Sequence, residues 1–333
     1  MRTIALEEHF WIPELAAPPG TGPLARPDGA SLDARLRDLG AERIAGMDAA
    51  GIDMQVLSHV QPAAQALPPA PGIEAARRAN DALAGAVGHY PGRLAGFATL
   101  PTSSADAAAG ELKRCIGELG FVGGMVHSTL GTNGAFLDDD RFQPLLKAFE
   151  DLDVPLYLHP ATAPAAISEV LFGGLAPAVA ARLATNAWGW HAEAGLHALR
   201  MIAAGTFERH PALRLIIGHC GEMLPFMLAR IDEMLPPQVT GLPHPPSLYV
   251  HRNVWVTTSG MFSLPPVLCS IAVMGVDRVL FSVDYPFGSN ASGRHLLDSL
   301  PVSQDDKAKI AGGNAGRLLR LGRLPGARLR RRT

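Results

Sequence analysis

The sequence predicts an α/β chain closed as a (β/α)8 barrel, and three observations carry that expectation. Short apolar runs alternate with longer amphipathic segments along nearly the whole chain, and there are eight of the runs. Polar and ionisable residues gather where those runs end. No G-x-G-x-x-G follows the first run, so an open, doubly wound sheet lacks its phosphate-binding device. At 333 residues the chain exceeds the roughly 250 of a typical barrel, but no internal repeat or domain boundary shows, and a single domain over 1–333 is expected.

In chain order, the first strand is read at residues 3–8 and is followed by a Pro/Gly-rich stretch, 13–28, expected as a loop near the barrel rim. The second and third strands fall at 54–58 and 94–100, the latter leading into a helical pattern at 104–119. Strand four (123–127) precedes a helix at 140–152, and strand five (155–159) precedes an irregular, Ala-rich segment at 161–186 and a helix at 191–210. Strand six (213–219) leads to a helix at 225–235 and another irregular segment, 235–251; both long segments read as lids or pocket walls. Strands seven and eight are placed at 254–259 and 279–284, and the closing helical pattern around 304–310 is interrupted by Gly312 and Gly313, which predicts two helices.

Composition narrows the function. Apolar residues make up 47 % and charged residues 18 %, enough for a large core and too few charges for a disordered chain. A formal charge of -2 gives no electrostatic reason to expect nucleic acid or an anionic membrane as partner, and the arginines at 328, 330, 331 and 332 read as a solvated tail. Cys115, Cys220 and Cys269 are far apart in sequence, which argues against a disulfide framework and against a thiolate zinc site. No secretory signal and no long uninterrupted apolar run is evident, so a cytoplasmic protein is expected.

The strand ends carry the chemistry. Glu7 and His9, Ser58 and His59, His127, His159, His219, Ser259 and Asp284 all fall there, so five of the twelve histidines converge on one end of the sheet. Barrel enzymes place their active sites at that end. Glu7 and His9 are two apart on a strand and should share a face, with Glu8 pointing away. With LYLHP at His159, IIGHCGE at His219 and FSVDYPF at Asp284, imidazole and carboxylate groups form a set suited to a first-row divalent cation. Two carboxylates balance the cation's charge; without it they would repel. Glu222 can orient His219 through one ring nitrogen, leaving His219 as a further ligand or, as favoured here, an acid or base beside the metal. Asp284 could serve as ligand and proton shuttle together. His59 and His127 either contact substrate or are buried at the rim, and Arg230, like Arg252, either binds a substrate carboxylate or sits in a surface salt bridge. His197, in a helical pattern with Trp188, Glu193 and Met201, is expected to pack behind the site.

These residues resemble the amidohydrolase superfamily, in the branch containing aminocarboxymuconate-semialdehyde decarboxylase and the aromatic-acid decarboxylases. Within it the chain is most similar to the γ-resorcylate and 2,3-dihydroxybenzoate decarboxylases. The resembling segments are ALEEHF (5–10), GIDMQVLS (51–58), GFATLP (96–101), ELGFVGGMV (118–126), PLYLHP (155–160), HALRMIAAGTFERHPALRLIIGHCGE (197–222), TTSG (257–260), DRVLFSVDYPF (277–287) and NAGRLL (314–319). The resemblance implies a distorted TIM (β/α)8 barrel with one divalent ion, Zn or Mn, in a homo-oligomer, dimer or tetramer. By position, Glu7, His9, His159 and Asp284 match the metal ligands, and His219 with Glu222 matches the catalytic pair. Many hydrolytic relatives begin with His-x-His, so Glu-x-His favours the decarboxylases. The expected activity is metal-dependent, non-oxidative decarboxylation of a small hydroxylated aromatic acid; the alternative is metal-dependent hydrolysis of a lactone, ester or amide.

Overall fold

The computed structural model describes residues 1–13, 29–130 and 134–321 and shows eight strands in one sheet, in sequence order: β1 (Ile4–Phe10), β2 (Met54–His59), β3 (Leu94–Thr99), β4 (Gly123–His127), β5 (Leu156–His159), β6 (Leu215–Ile217), β7 (Val254–Thr257) and β8 (Val279–Leu280). Every neighbouring pair is parallel. The last seam closes by a parallel bridge between Leu6 and Ser282, with the Leu6 N–H donating to the Phe281 carbonyl at 3.3 Å. A distorted (β/α)8 barrel is the result, as expected. The arginines at 328–332 and nearly all of the 13–28 stretch lie outside the described residues.

Alternation along each strand divides the core in two. Ile4, Leu6, Met54, Val56, Phe97, Met125, Tyr157, Ile216 and Leu280 fill the barrel interior, while Ala5, Leu57, Ala98, Leu158, Ile217 and Val256 face the helices. Ala315, Leu318 and Leu319 pack against the interior cluster from the chain's end and plug the barrel opposite the site. Asn314 anchors that plug, donating from Nδ2 to the carbonyls of Val276 and Val279, both at 2.8 Å.

The parity of β1 holds a surprise. Ile4 and Leu6 point inward, so strict alternation would turn Glu7 and His9 toward the helices. A bulge between Ala5 and Glu8, with Glu7 at φ 64°, inserts one residue against β2 and resets the phase. Leu6, Glu7 and His9 therefore all reach the interior side, and only Glu8 is sent out.

Three strands end two or more residues earlier than expected: β6 at Ile217, β7 at Thr257 and β8 at Leu280. β6 stops at Ile217 because residues 219–223 all adopt positive φ, from 47° at His219 to 86° at Gly221. β8 stops at Leu280 because the next donors turn elsewhere: Phe281 N–H to the Ile310 carbonyl at 3.0 Å, and the N–H groups of Val283 and Tyr285 to the Glu8 carboxylate, each at 2.9 Å. The long segments are more ordered than expected, with helices Ala165–Phe172 and Pro177–Ala184 in the first and Pro237–Thr240 and Pro246–Asn253 in the second. Alanine content and proline at helix starts account for them. The 191–210 pattern divides into Gly189–Ala203 and Thr206–Arg209, at Gly205 with φ 73°. Gly312 and Gly313 do not break their helix; a π-helical turn at Lys309–Gly313 carries the chain from Gln304–Ala308 into Asn314–Leu318. Gly312 is needed there, since a Cβ would stand 2.5 Å from the Arg2 carbonyl oxygen.

Leu318→Ala would open a cavity in the plug and is expected to lower stability by about 2–5 kcal/mol. The urea midpoint should fall while metal content stays at the wild-type ratio, because the plug closes the end of the barrel opposite the ligands.

Candidate active site

Glu7 reaches the interior and is fully buried. Its Oε2 accepts from the Tyr157 hydroxyl and from Thr257 Oγ1 at 3.2 Å. Thr257 is 2.8 Å from Ser259 Oγ, which accepts from the His219 backbone N–H at 3.0 Å. The other oxygen, Oε1, has no hydrogen-bond partner and faces His159 Nε2 at 3.5 Å and His219 Nδ1 at 3.8 Å. Gly218 makes room for this carboxylate, since a Cβ there would lie 2.8 Å from Oε2.

His9 presents Nε2 in the same direction. Its Nδ1 contacts Ser58 Oγ at 3.2 Å, while Nε2, buried without a hydrogen-bond partner, stands 3.2 Å from Asp284 Oδ1. His159 Nδ1 is 2.6 Å from the Pro160 carbonyl, so it carries the proton and the Nε2 lone pair faces Glu7. Burial pushes His9 down to about 4 and His159 to about 3, keeping both rings neutral at pH 7 as ligands must be. One ligand atom from each of Glu7, His9, His159 and Asp284 lies within 4.8 Å of all the others. Two neutral imidazoles, two carboxylates and two buried atoms without hydrogen bonds match a divalent cation in charge and donor type. The residues fit the metal that the strand ends predict.

His219 and Glu222 meet beside this cluster, on the left-handed turn. His219 Nδ1 is 2.7 Å from Glu222 Oε1, and Nε2 lies 4.0 Å from Asp284 Oδ2. Burial alone would lower His219, but the carboxylates of Glu222 and Glu7 outweigh it and raise the ring to about 10. Burial likewise opposes ionisation of Glu222, and the facing His219 overrides it, bringing the carboxyl down to about 2. Glu7, His219, Glu222 and Asp284 all sit at positive φ, a conformation that costs of the order of 1–3 kcal/mol per non-glycine residue and concentrates at functional sites.

A cavity of about 360 Å³ opens over these groups. His159, His219 and Asp284 form its polar end, Val60, Met261, Phe262 and Phe287 line it with apolar surface, and Gln61, Arg182, Asn186, Trp190 and His191 complete it. The structure does not bring Arg230 there; it is exposed on its helix and donates to Glu233 Oε2 at 2.9 Å, three residues on. His59 and His127 do not line the cavity either. His59 donates from Nδ1 to the Val60 carbonyl at 2.8 Å and accepts the Ile12 N–H at 3.2 Å, and His127 bridges the His59 carbonyl and His159 Nδ1, both at 3.1 Å. His127 therefore braces His159 from behind, while the His59 ring ties the end of β2 to the backbone just past β1. Arg252 donates to Asn253 Oδ1 and the Phe207 carbonyl, away from the cavity. His197 is packed as expected, accepting the Leu137 N–H at 2.8 Å.

Several contributors escaped sequence reading. Tyr157 is two residues before His159 on one strand, and that spacing could have found it. Glu8 takes the N–H groups of Val283 and Tyr285 and fixes the backbone on either side of Asp284; burial pushes its carboxyl up to about 8 against those bonds. Arg43, wholly buried, donates to the His9 carbonyl at 2.8 Å and lies 4.9 Å from the Tyr285 ring centroid. In the sequence it looks like any helix arginine. Arg182 and His191 come from the segment least like a strand end.

Comparisons with known proteins give matches over nearly the whole chain. A family model described as Amidohydrolase matches residues 8–321. The γ-resorcylate decarboxylase of Rhodococcus jostii (strain RHA1) is 38 % identical over 334 residues, covering 96 % of this chain and 99 % of that protein. A crystal structure of 2,6-dihydroxybenzoate decarboxylase with 2,6-dihydroxybenzoate superposes with a TM-score of 0.89 at 36 % identity, covering 96 % of this chain and all of that one. The dihydroxybenzoic acid decarboxylase of Polaromonas sp. JS666, with bound manganese and the inhibitor 2-nitroresorcinol, gives 0.90 at 35 % identity, covering 98 % and 99 %.

Two predictions follow from the electrostatics and packing. Gly218→Ala should displace the Glu7 carboxylate and reduce metal affinity at least about tenfold, the scale of ligand-support losses, read by elemental analysis after dialysis. His59 is held at about 4, His197 at about 3 and His127 well below its ordinary value, each chiefly by burial. Between about pH 6.5 and 4 the unfolded chain binds protons that the fold refuses, so stability falls as pH falls. The depressed His9 and His159 add to the fall, while Glu8 and, near pH 6.5, His219 act in the opposite sense, as two groups against five. Urea midpoints of metal-free protein at pH 6.5 and pH 5 should show the drop, and equal midpoints would contradict it.

Proposed function

The chain belongs to the amidohydrolase family, and from that premise we propose that it is a carboxy-lyase removing CO2, without oxidation, from a hydroxylated aromatic acid. The carrying observation is the four-residue cluster of Glu7, His9, His159 and Asp284, which opens into an apolar cavity with an acid–base histidine beside it. Solved decarboxylases of such acids match this chain over nearly their full length.

Glu7, His9, His159 and Asp284 would hold a divalent cation, which would supply positive charge toward the substrate's oxygens. Manganese is the proposed ion, since a matching structure holds it. Phe262, Phe287, Met261 and Val60 hold the ring and exclude water. Arg182, which has no carboxylate partner among the described residues, adds positive charge attracting an anionic substrate. A proton passes from His219 Nε2 or from Asp284 to the ring carbon bearing the carboxylate. The bond to that carboxylate then breaks, its electron pair restores the aromatic ring, and CO2 leaves. Solvent returns one proton to the donor, so each turnover consumes one proton and releases one CO2.

Assembly is part of the same reading. Helix Ala165–Phe172 buries none of its residues, with Val170 83 % and Leu171 65 % exposed, and we infer that this apolar face is covered in a homo-oligomer. A cytoplasmic location is supported by the three free cysteines. No single helix among the described residues is long and apolar enough to cross a membrane.

Manganese-loaded protein should release CO2 from ortho-hydroxybenzoates and leave lactones untouched; lactone turnover alone would overturn the assignment. Asp284→Asn is expected to lower kcat by about 10²–10⁴-fold, the range of a lost acid–base group. Light scattering of a Val170→Glu, Leu171→Glu double variant should give a lower mass than wild type.

A further inference from the structure

His191 belongs to neither the cation cluster nor the strand-end motifs, yet it lines the cavity and reaches Glu222. Its Nδ1 lies 2.7 Å from Glu222 Oε2, and its Nε2 lies 3.1 Å from the Asn186 carbonyl oxygen. The ionised Glu222 carboxylate can only accept, so His191 Nδ1 donates to it. The other Glu222 oxygen, Oε1, is 2.7 Å from His219 Nδ1. One fully buried carboxylate thus joins two imidazoles, one oxygen to each, and the ring centroids stand 4.7 Å apart at 67°.

The backbone explains why such a clamp is needed. Glu222 stands at φ 50° in a run of five left-handed residues, beyond the ladder of β6. No strand partner fixes its side chain. The helix Gly189–Ala203, which carries His191, is seated directly on that turn: a Cβ at Gly195 would lie 2.6 Å from the Glu222 carbonyl oxygen. With one oxygen held by His219 alone, the carboxylate could rotate and carry the His219 ring with it. Holding the second oxygen fixes the carboxylate plane and, through it, the direction of His219 Nε2.

We propose that His191 is a positioning residue of the reaction, which holds Oε2 of Glu222 so that Oε1 keeps His219 aimed at the substrate carbon. The inference rests on the decarboxylase reading of the site. Its contact with Asn186 also ties the end of the 161–186 wall to the same clamp.

His191→Phe keeps a ring of similar size and removes the Nδ1–H donor to Glu222. In manganese-loaded protein it should lower kcat for CO2 release by about 10–100-fold, the usual effect of losing an outer hydrogen-bond partner, with KM within about twofold and metal content unchanged. His191→Asn, whose amide N–H occupies the place of Nδ1–H, should restore most of kcat. In a Glu222→Gln background His191→Phe should cost nothing further, since the two act through one carboxylate. A second readout is independent of turnover: proton NMR of the metal-free protein should show the hydrogen-bonded Nδ1–H of His219 exchanging faster in His191→Phe. Unchanged kcat, a loss that multiplies with Glu222→Gln, or a change in KM alone overturns the proposal. Failure of the decarboxylase reading shows separately, as absence of CO2 release by wild-type protein, and the NMR comparison still decides the role of His191.

Discussion

A carboxylate buried without water must find its compensation within the protein, and Glu7 finds only half of it there. Tyr157 and Thr257 satisfy one oxygen; the other has no hydrogen bond and faces His159 Nε2, which burial keeps neutral, with His219 Nδ1 at 3.8 Å already engaged by Glu222. An uncompensated charge in such a place is strongly destabilising. The protein leaves a deficit of positive charge at the mouth of the barrel that a divalent cation fills. The bulge in β1, the missing side chain at Gly218 and the Tyr157 hydroxyl all serve to hold that deficit in place.

Around it, the backbone is bent in ways that chains ordinarily avoid. Glu7 and Asp284 are single residues in the left-handed region, and the turn from His219 to Met223 stays there for five residues. Each position is held by something independent of its own preference. Glu8 grips both sides of Asp284, Ser259 takes the N–H of His219, and Ser270 donates to the Cys220 carbonyl at 3.0 Å. The strain is sustained by a surrounding lattice of bonds, and it points side chains into one small volume that regular strands would send along separate directions.

Much of this was legible beforehand. The order of eight strands, and the convergence of Glu7, His9, His159, His219 and Asp284, follow from apolar runs that end in ionisable residues. The pairing of Glu7 with His9 was read correctly for an incomplete reason. Period two puts them on one face, but the bulge decides that the face is the interior, and no residue pattern in ALEEHF announces a bulge. Arg43 and His191 were invisible because a helix residue declares its partner only when the helix is docked. Of the two roles open to Arg230, the structure shows the surface ion pair, with Glu233, and only the docked helix decides between them. His59 and His127 stand at strand ends as expected, yet face away from the cavity because the carbonyls of Val60 and His59 capture their ring nitrogens.

The helices Ala165–Phe172 and Pro177–Ala184 carry pocket-lining Arg182, supply none of the four residues of the cation cluster, and belong to no strand. Their side chains can therefore be rewritten while the four ligands, and the Asn186 carbonyl that meets His191, are kept. Lineages sharing this scaffold are free to drift toward new acids by exchanging a wall while inheriting the hearth unchanged. Divergence in diet is then much easier than divergence in mechanism.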